Sequence, residues 1–200
     1  MAIKQKLRFK EAIQKVFSKT PKVLEKKAPV YQLVELSSID CSEDPVRPEL
    51  DLEFRTSYGR KIYGLKDEVG EIAAIMCFAF THEVPKSVEE MDKMSKDAVL
   101  QATHRYYQQG SIAIAYTVWA KKRGGGRAIV NEVYKMVKES NNLNRLVTLS
   151  PLTDMARNFH LKNGAKELQV NEKTQNFEYD IELEQWEKYL ERAKRFFKIR

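Results

Sequence analysis

The chain has 200 residues, of which 42% are hydrophobic and 32% charged, and its formal net charge is +7 at pH 7. With only 8 Gly and 6 Pro this composition excludes a disordered or fibrous chain, and the length is enough to bury a hydrophobic core. The longest apolar run, residues 72–80, is far shorter than the roughly 20 residues that span a bilayer, and it predicts a buried strand.

The N-terminus lacks the apolar segment of a signal peptide, so we expect a cytoplasmic protein with no membrane span. Its two cysteines, Cys41 and Cys77, provide no disulfide framework, and no residues show the spacing of a zinc site. We therefore expect no metal, and we interpret Cys77, within the apolar run, as a core thiol.

The positive charge is concentrated at the two ends of the chain. Residues 1–27 contain nine Lys or Arg and two Glu, and residues 192–200 contain five cations and no acid. We expect a basic helical segment at 1–27, a folded domain at 28–182 and a basic helix at 183–200. The ends are candidates for binding a polyanion, an acidic protein or a membrane surface. The alternative, which we favour, is that they are amphipathic helices with solvated lysines.

In the first half of the chain, the patterns predict short strands separated by turns. Residues 62–65 and 71–81 should form a hairpin around the turn KDEVG. Ser87 and Glu90 have the spacing of a capping box at the start of a short helix. The remaining predictions here are a helix at 2–19, a strand at 31–39 and a loop at 40–48.

The second half alternates strands and helices. The predicted elements are, in order, a strand at 111–120, a glycine-rich loop, a helix at 127–139 and a strand at 145–149. They continue with a helix at 154–162 that ends at Asn163-Gly164, one or two strands within 167–181, and the C-terminal helix. This order, with the antiparallel pairs upstream, predicts an α+β fold of the three-layer α/β type, with a mixed central sheet flanked by helices.

The loop within KKRGGGRAIV, residues 121–130, has the properties of an anion site. It precedes a helix N-terminus, where free N–H groups and the helix dipole favour negative charge. Glycine lets the backbone approach an anion closely, and the neighbouring cations add to the attraction. The spacing of a P-loop and that of a dinucleotide-binding fingerprint are both absent.

The segment AYTVWAKKRGGGRAIVNEVYKMV resembles motif A of the GNAT acyl-CoA-binding superfamily, a strand, a [QR]-x-x-G-x-[GA] loop and an amphipathic helix. Two alignments fit, one with Lys121 and one with Arg123 at the first motif position. The resemblance implies acetyl-CoA or another acyl-CoA as co-substrate, with its pyrophosphate on the backbone of this loop. The implied binding residues are Lys121, Arg123, Gly124, Gly125, Gly126, Arg127 and Ala128.

A second segment, PLTDMARNFHLKNGAKEL, resembles the later GNAT motif N-x-F-Y-x-x-x-G-F. Asn158 matches a cofactor-binding position of this motif. His160 takes the place of the tyrosine that protonates the leaving thiolate in many family members. Histidine suits the same role, because its unperturbed pKa of about 6.5 allows proton donation near neutrality.

TLSPLTD and NFHLKNGA also resemble two motifs of the malonyl-CoA decarboxylase catalytic domain, which is itself GNAT-like. There, a serine and a histidine at the positions of Ser150 and His160 form the catalytic dyad. This chain lacks the long insert between the two motifs and the separate helical domain of that family. Ser150 and Pro151 would alternatively be a helix N-cap and first turn, and His160 a core histidine.

Three functions follow from these resemblances. The first is an acyltransferase that moves an acetyl or related group from CoA to an amine of a small molecule or protein, using His160. The second is a malonyl-CoA decarboxylase-like lyase that uses Ser150 and His160. The third is a non-catalytic CoA-fold protein that docks on a polyanion. Glu71 and Glu83 are candidate general bases by location only.

Overall fold

The computed structural model describes residues 29–105 and 110–181. The predicted basic helices at the two ends of the chain lie outside these residues. The described strands are β1 (Gln32–Leu36), β2 (Lys61–Lys66), β3 (Ile72–Thr81), β4 (Ile112–Ala120), β5 (Arg145–Thr148), β6 (Ser150–Pro151), β7 (Lys166–Val170) and β8 (Thr174–Tyr179). The described helices are α1 (Leu52–Thr56), α2 (Val88–Arg105), α3 (Gly125–Glu139) and α4 (Asp154–Lys162), with a 3-10 turn at Cys41–Glu43.

All eight strands belong to one mixed sheet. Its order is β1-β2-β3-β4-β5-β8-β6, with β7 also paired to β8. Only β4 and β5 run parallel among the described strands, and their pairing extends from Ile112 with Arg145 to Ala115 with Thr148. The predicted α+β architecture with a mixed sheet is therefore confirmed.

A bulge in β4 ends the parallel pairing. Cys77 of β3 pairs with Thr117 and Phe78 pairs with Ala115, which leaves Tyr116 as the extra residue on β4. Such a bulge bends a strand and increases its twist. Beyond it, β4 continues without β5 as a partner, and the chain after β5 pairs instead with β8. The sheet thus opens between β4 and the end of β5.

Hydrophobic side chains cover both faces of the sheet. On one face, α3 buries Ile129, Val130, Val133 and Val137 against a cluster that includes Phe78. This is the apolar stripe that the sequence predicts for this helix. On the other face, Tyr116 and Trp119 of β4 pack with Met91 of α2. None of the helices in the described ranges is long and apolar enough to cross a membrane.

Several local predictions agree closely with the structure. The β2–β3 hairpin forms with the predicted turn, and α4 has the predicted ends, with Gly164 in the left-handed region at φ 89°. Ser87 accepts a hydrogen bond from Glu90 N at 3.1 Å, as a capping box requires. The Glu90 carboxylate, however, accepts from the N–H of Lys86.

Other local predictions were wrong. The helix after Ser87 is not short, because it continues to Arg105 over 18 residues. Helix α3 begins at Gly125 rather than Arg127, since the two buried glycines form its first turn. Ser150 does not cap α4: the cap is Thr153, whose side chain accepts from Ala156 N at 3.3 Å. The short helix α1 was not predicted, although Asp51 caps it by accepting a hydrogen bond from Phe54 N at 2.7 Å.

The N-terminus of α3 lies directly against β3. A Cβ built on Gly125 would lie 2.4 Å from the carbonyl oxygen of Ala73, whereas one on Gly126 would lie 3.3 Å from a ring atom of Phe159. The same Ala73 oxygen accepts hydrogen bonds from the N–H groups of Lys121 and Lys122. Glycine at position 125 is therefore required by close backbone approach.

We expect Gly125→Ala to lower the free energy of unfolding by about 1–3 kcal/mol, because the new methyl group must displace backbone rather than a side chain. Gly126→Ala is the matched control and should cost less, since the Phe159 ring can move and alanine favours the helix. Urea denaturation of both variants measures the difference. Equal losses in the two variants would contradict the close-approach explanation.

Candidate active site

A cavity of about 340 Å³ lies where β4 and β5 separate. Helices α3 and α4 form one wall, β4 forms another, and the segment after the 3-10 turn contributes Pro45 and Val46. Most of its surface is apolar. The apolar side chains that line it include Met76, Val118, Val130, Val133, Leu146 and Phe159. Such a slot suits a long, flexible and largely uncharged part of a ligand.

Ser150 and His160 meet in the lining of this cavity. Ser150 lies on β6, His160 lies in the last turn of α4, and the distance between Ser150 Oγ and His160 Nε2 is 2.9 Å. Both residues line the cavity, and His160 is only 4% exposed. The two residues that the decarboxylase resemblance paired are thus in contact, although only nine residues separate them in the chain.

His160 also contacts Tyr179, which the sequence analysis did not identify. The Tyr179 hydroxyl lies 3.1 Å from His160 Nδ1, and the Phe177 ring stacks on the imidazole at a centroid distance of 5.1 Å. Burial lowers the pKa of His160 to about 4, and burial also raises the pKa of Tyr179. Both side chains are therefore neutral at pH 7.

Proton counting indicates the direction of these hydrogen bonds. If Tyr179 donates to Nδ1, Nε2 carries the imidazole proton and donates to Ser150, and Ser150 donates to Thr148 Oγ1 at 3.2 Å. In the reverse direction, the Tyr179 proton has no acceptor among the described residues. The first arrangement satisfies more groups, so we assign the proton to Nε2. It makes Ser150 a donor that a ligand in the cavity can redirect from Thr148.

The residues around His160 differ from those of a Ser-His-Asp triad. No carboxylate in the described part of the chain contacts His160, and burial alone accounts for its lowered pKa. In a triad, a carboxylate stabilises the imidazolium that forms when serine loses its proton. Without that carboxylate, the pair is better suited to donating hydrogen bonds than to generating a serine nucleophile.

The glycine loop presents free backbone donors beside the cavity. Gly124 has φ 84°, in the left-handed region, and α3 begins at the next residue. Within the part of the chain that the structure describes, the N–H groups of Arg123, Gly124, Gly126 and Arg127 have no protein acceptor. Gly126 also lines the cavity, so the loop and the apolar slot are continuous. This geometry fits a phosphate-bearing ligand with a long uncharged arm.

The cations of the loop differ in their partners. Lys121 forms an ion pair with Glu43, and Lys122 pairs with Asp67 and Glu71. Arg123 and Arg127 are exposed, and neither forms an ion pair with any described residue. Of the two motif alignments, the one that begins at Arg123 therefore has the cation that is free to meet an anion.

The remaining predicted residues lie farther from the cavity. Asn158 is exposed on α4 and does not line it, and Ala128 is partly buried in the first turn of α3. Neither of the candidate bases Glu71 and Glu83 lines it either. The carboxylate that does is Glu43, at the cavity mouth.

A buried network that the sequence analysis missed holds residues 40–57 against β4. Asp44 and Arg55, both almost fully buried, form an ion pair at 2.8 Å. The Thr117 hydroxyl of β4 donates to the Asp44 carboxylate, and Arg55 also donates to the carbonyl of Arg47. Only residues 40–48 were predicted to form a loop, because nothing in the local sequence marks the distant partners of Asp44 and Arg47.

No family model matches this chain, and no curated protein matches it in sequence. Among solved structures it is similar to the loading GNATL domain of CurA from Lyngbya majuscula, with a TM-score of 0.52 and 13% identity. That alignment covers 76% of this chain and 98% of the CurA domain. The chain therefore has the GNAT-like fold that its motifs predicted. At this identity the similarity establishes the fold alone.

Two further solved structures align more loosely. Malonyl-CoA decarboxylase from Agrobacterium vitis has a TM-score of 0.46 and 15% identity over 67% of this chain and 36% of its own. This chain thus spans well under half the length of that protein. N-acetyltransferase PseH from Campylobacter jejuni, in complex with acetyl coenzyme A, has a TM-score of 0.45 and 13% identity over 75% of this chain and 98% of its own.

The lowered pKa of His160 predicts a specific pH dependence of stability. Below about pH 6.5 the unfolded chain protonates this imidazole, whereas the folded chain keeps it neutral down to about pH 4. The free energy of unfolding should therefore decrease as the pH is lowered from about 6.5 to about 4. His160 contributes at most about 1.4 kcal/mol per pH unit to this decrease. Urea denaturation at several pH values, compared with His160→Gln, isolates this contribution. Identical slopes in the two proteins would contradict it.

Proposed function

We propose that this chain is an acyl-CoA-dependent enzyme in which the glycine loop binds the pyrophosphate of coenzyme A. The unpaired N–H groups of Gly124, Gly126 and Arg127 support this, because free N–H groups at a helix N-terminus favour a bound anion. The apolar cavity continues from Gly126 to Ser150 and His160. A pantetheine arm along this cavity would carry the thioester to the Ser150–His160 pair.

The reaction that this geometry supports best is decarboxylation of a β-carboxyacyl thioester such as malonyl-CoA. The contact between Ser150 and His160 is the observation that carries this proposal. With the proton on Nε2, His160 polarises Ser150, and the Ser150 hydroxyl donates to the thioester carbonyl oxygen. No nucleophile is required, which agrees with a His160 that contacts no described carboxylate.

In this reaction, the bond between the α-carbon and the carboxylate breaks and carbon dioxide leaves. The electron pair moves into the enolate, whose oxygen carries the developing charge beside Ser150. Fixed donors aimed at that charge act strongly in a site that excludes water. The α-carbon then takes the Ser150 hydroxyl proton as a water molecule returns one to the same oxygen, so the Ser150–His160 pair stays neutral, and acetyl-CoA and hydroxide are the products.

Acyl transfer to an amine is the second candidate, and Glu43 favours it. Glu43 is the carboxylate at the cavity mouth, where it pairs with Lys121. Coenzyme A phosphates on Lys121 would free Glu43 to accept a proton from an amine, while His160 would serve the leaving thiolate. This candidate requires an acceptor and releases no carbon dioxide.

Coenzyme A binding is tested by introducing a negative charge into the glycine loop. Millimolar coenzyme A should raise the melting temperature of the wild-type protein, since a saturating ligand stabilises the state that binds it. Gly126→Glu should abolish this rise, because its carboxylate would lie against the pyrophosphate. Gly126→Gln has the same shape without the charge and should keep part of the rise. Equal shifts in wild type and Gly126→Glu would refute binding at this loop.

Decarboxylation is tested by release of carbon dioxide from malonyl-CoA with no acceptor present. We expect release by the wild-type protein and a loss of about 10²–10³-fold in His160→Ala and in Ser150→Ala, by analogy with the removal of an oxyanion donor. Retained coenzyme A binding in both variants shows that the fold survives. Undiminished release from His160→Ala would remove His160 from the mechanism, and acylation of an added amine without release would favour the transferase.

A further inference from the structure

The side chain of Thr148, the last residue of β5, faces the same cavity as Ser150. Along β5 and β6, every second residue lines the cavity: Leu146, Thr148 and Ser150. Alternate residues of an extended chain point to the same face, and Val147 and Leu149 pack in the cluster on the opposite face of the sheet. The Thr148 hydroxyl therefore lies on the cavity side, although Thr148 is only 1% exposed.

Two neighbours hold the oxygen of the Thr148 hydroxyl. The backbone N–H of Phe177, on β8, donates to Thr148 Oγ1 at 3.1 Å, and Ser150 Oγ lies 3.2 Å from the same atom. Among the described residues, Ser150 is the one acceptor within reach of the Thr148 proton. The position of this oxygen is thus fixed by the strand pairing, while the direction of its proton is not.

The hydrogen-bonded network at the cavity has more protons than contacts. Its four neutral groups lie in a row, in the order Tyr179, His160, Ser150 and Thr148. Each group carries one proton that it can donate, but only three contacts join the four groups. With Tyr179 donating to Nδ1 and Nε2 donating to Ser150, the proton left over belongs to Ser150 or Thr148. Both of these hydroxyls face the cavity, so the surplus donor faces it too.

One acceptor oxygen in the cavity would satisfy the whole network. Ser150 Oγ and Thr148 Oγ1 are 3.2 Å apart, which is close enough for a single oxygen to contact both. A carbonyl oxygen accepts two hydrogen bonds, and it has no proton that would compete for acceptors. When both hydroxyls turn to it, all four protons have acceptors. Nε2 still holds Ser150 and the N–H of Phe177 still holds Thr148, so only hydroxyl protons have to move.

We propose that Thr148 is a second catalytic donor, which together with Ser150 binds the thioester oxygen of the ligand through two hydroxyl groups. This inference rests on the proposed binding of acyl-CoA. None of the four groups contacts a carboxylate within the described ranges, so no nearby negative charge opposes the charge that develops on this oxygen. Two fixed donors aimed at an enolate oxygen stabilise it more than they stabilise the neutral carbonyl.

The test is the infrared carbonyl band of bound acetyl-CoA, labelled with carbon-13 at the thioester carbon. Each hydrogen bond to a carbonyl oxygen weakens the C=O bond and lowers its stretching frequency. The band should lie lowest in the wild-type protein, rise in Ser150→Ala and in Thr148→Val, and rise further in the double variant. Thr148→Ser keeps the hydroxyl and should keep the low frequency.

The double variant separates direct contact from an effect through Ser150. If Thr148 only oriented Ser150, adding Thr148→Val to Ser150→Ala would leave the band unchanged, and that result would overturn the inference. If Thr148→Val does not fold, Thr148→Cys gives the same comparison, because a thiol fills a similar volume and is a weak donor. An unchanged band in Thr148→Cys would also overturn it.

The kinetic counterpart is carbon dioxide release from malonyl-CoA. Thr148→Val should lower kcat about 10²-fold and change KM by less than about threefold, because the lost donor acts mainly in the transition state. Thr148→Ser should restore most of this activity. A rise in KM at constant kcat would contradict the assignment.

Thr81→Val is the matched control. Thr81 is another fully buried threonine, but it does not line the cavity, and its hydroxyl donates to the carbonyl of Glu83 at 2.6 Å. Its loss should lower stability and leave both the carbonyl band and kcat unchanged. Bound acetyl-CoA with the same band in wild type and Thr148→Val would overturn this inference alone. Failure of free coenzyme A and acetyl-CoA to bind would instead overturn the proposed function, and this inference with it.

Discussion

The separation of β4 from β5 is the constraint on which the rest of the molecule depends. One extra residue, Tyr116, breaks the register with β3, and the parallel pairing stops at Ala115 and Thr148. Backbone groups that would have paired are exposed to a cleft, and buried backbone groups require partners. The segment at 40–57 provides them through Arg47, and the buried Asp44–Arg55 pair holds that segment in place. The cavity, the Ser150–His160 pair and the exposed end of the glycine loop all border this cleft.

Burial of His160 away from water determines the protonation state of the site. Because Phe159 and Phe177 enclose His160, burial lowers the pKa of its imidazole, which therefore stays neutral at pH 7. The same exclusion of water strengthens any donor that faces the ligand.

Local sequence signals predicted the elements whose causes are local. The amphipathic stripe of α3, the ends of α4 at Asn163-Gly164 and the loop around Gly124 are each encoded within a few residues. Tyr179 and Arg47 were missed because their contacts depend on strand pairing: Tyr179 reaches His160 across 19 residues, and Arg47 reaches Leu149 across 102. The contact between Ser150 and His160 was expected from motif resemblance, but only the position of β6 against β8 explains how a short connection brings them together.

The attachment of the glycine loop to β3 has a consequence for the kinetics of ligand capture. The carbonyl of Ala73 holds Lys121 and Lys122 from one side, and Gly125 fits against the same group from the other. The loop backbone is therefore fixed by the protein itself, so an anion that binds there as proposed does not have to order it. A preformed site of this kind favours rapid capture by simple encounter, with ligand residence set by how fast the long arm can withdraw from the apolar slot.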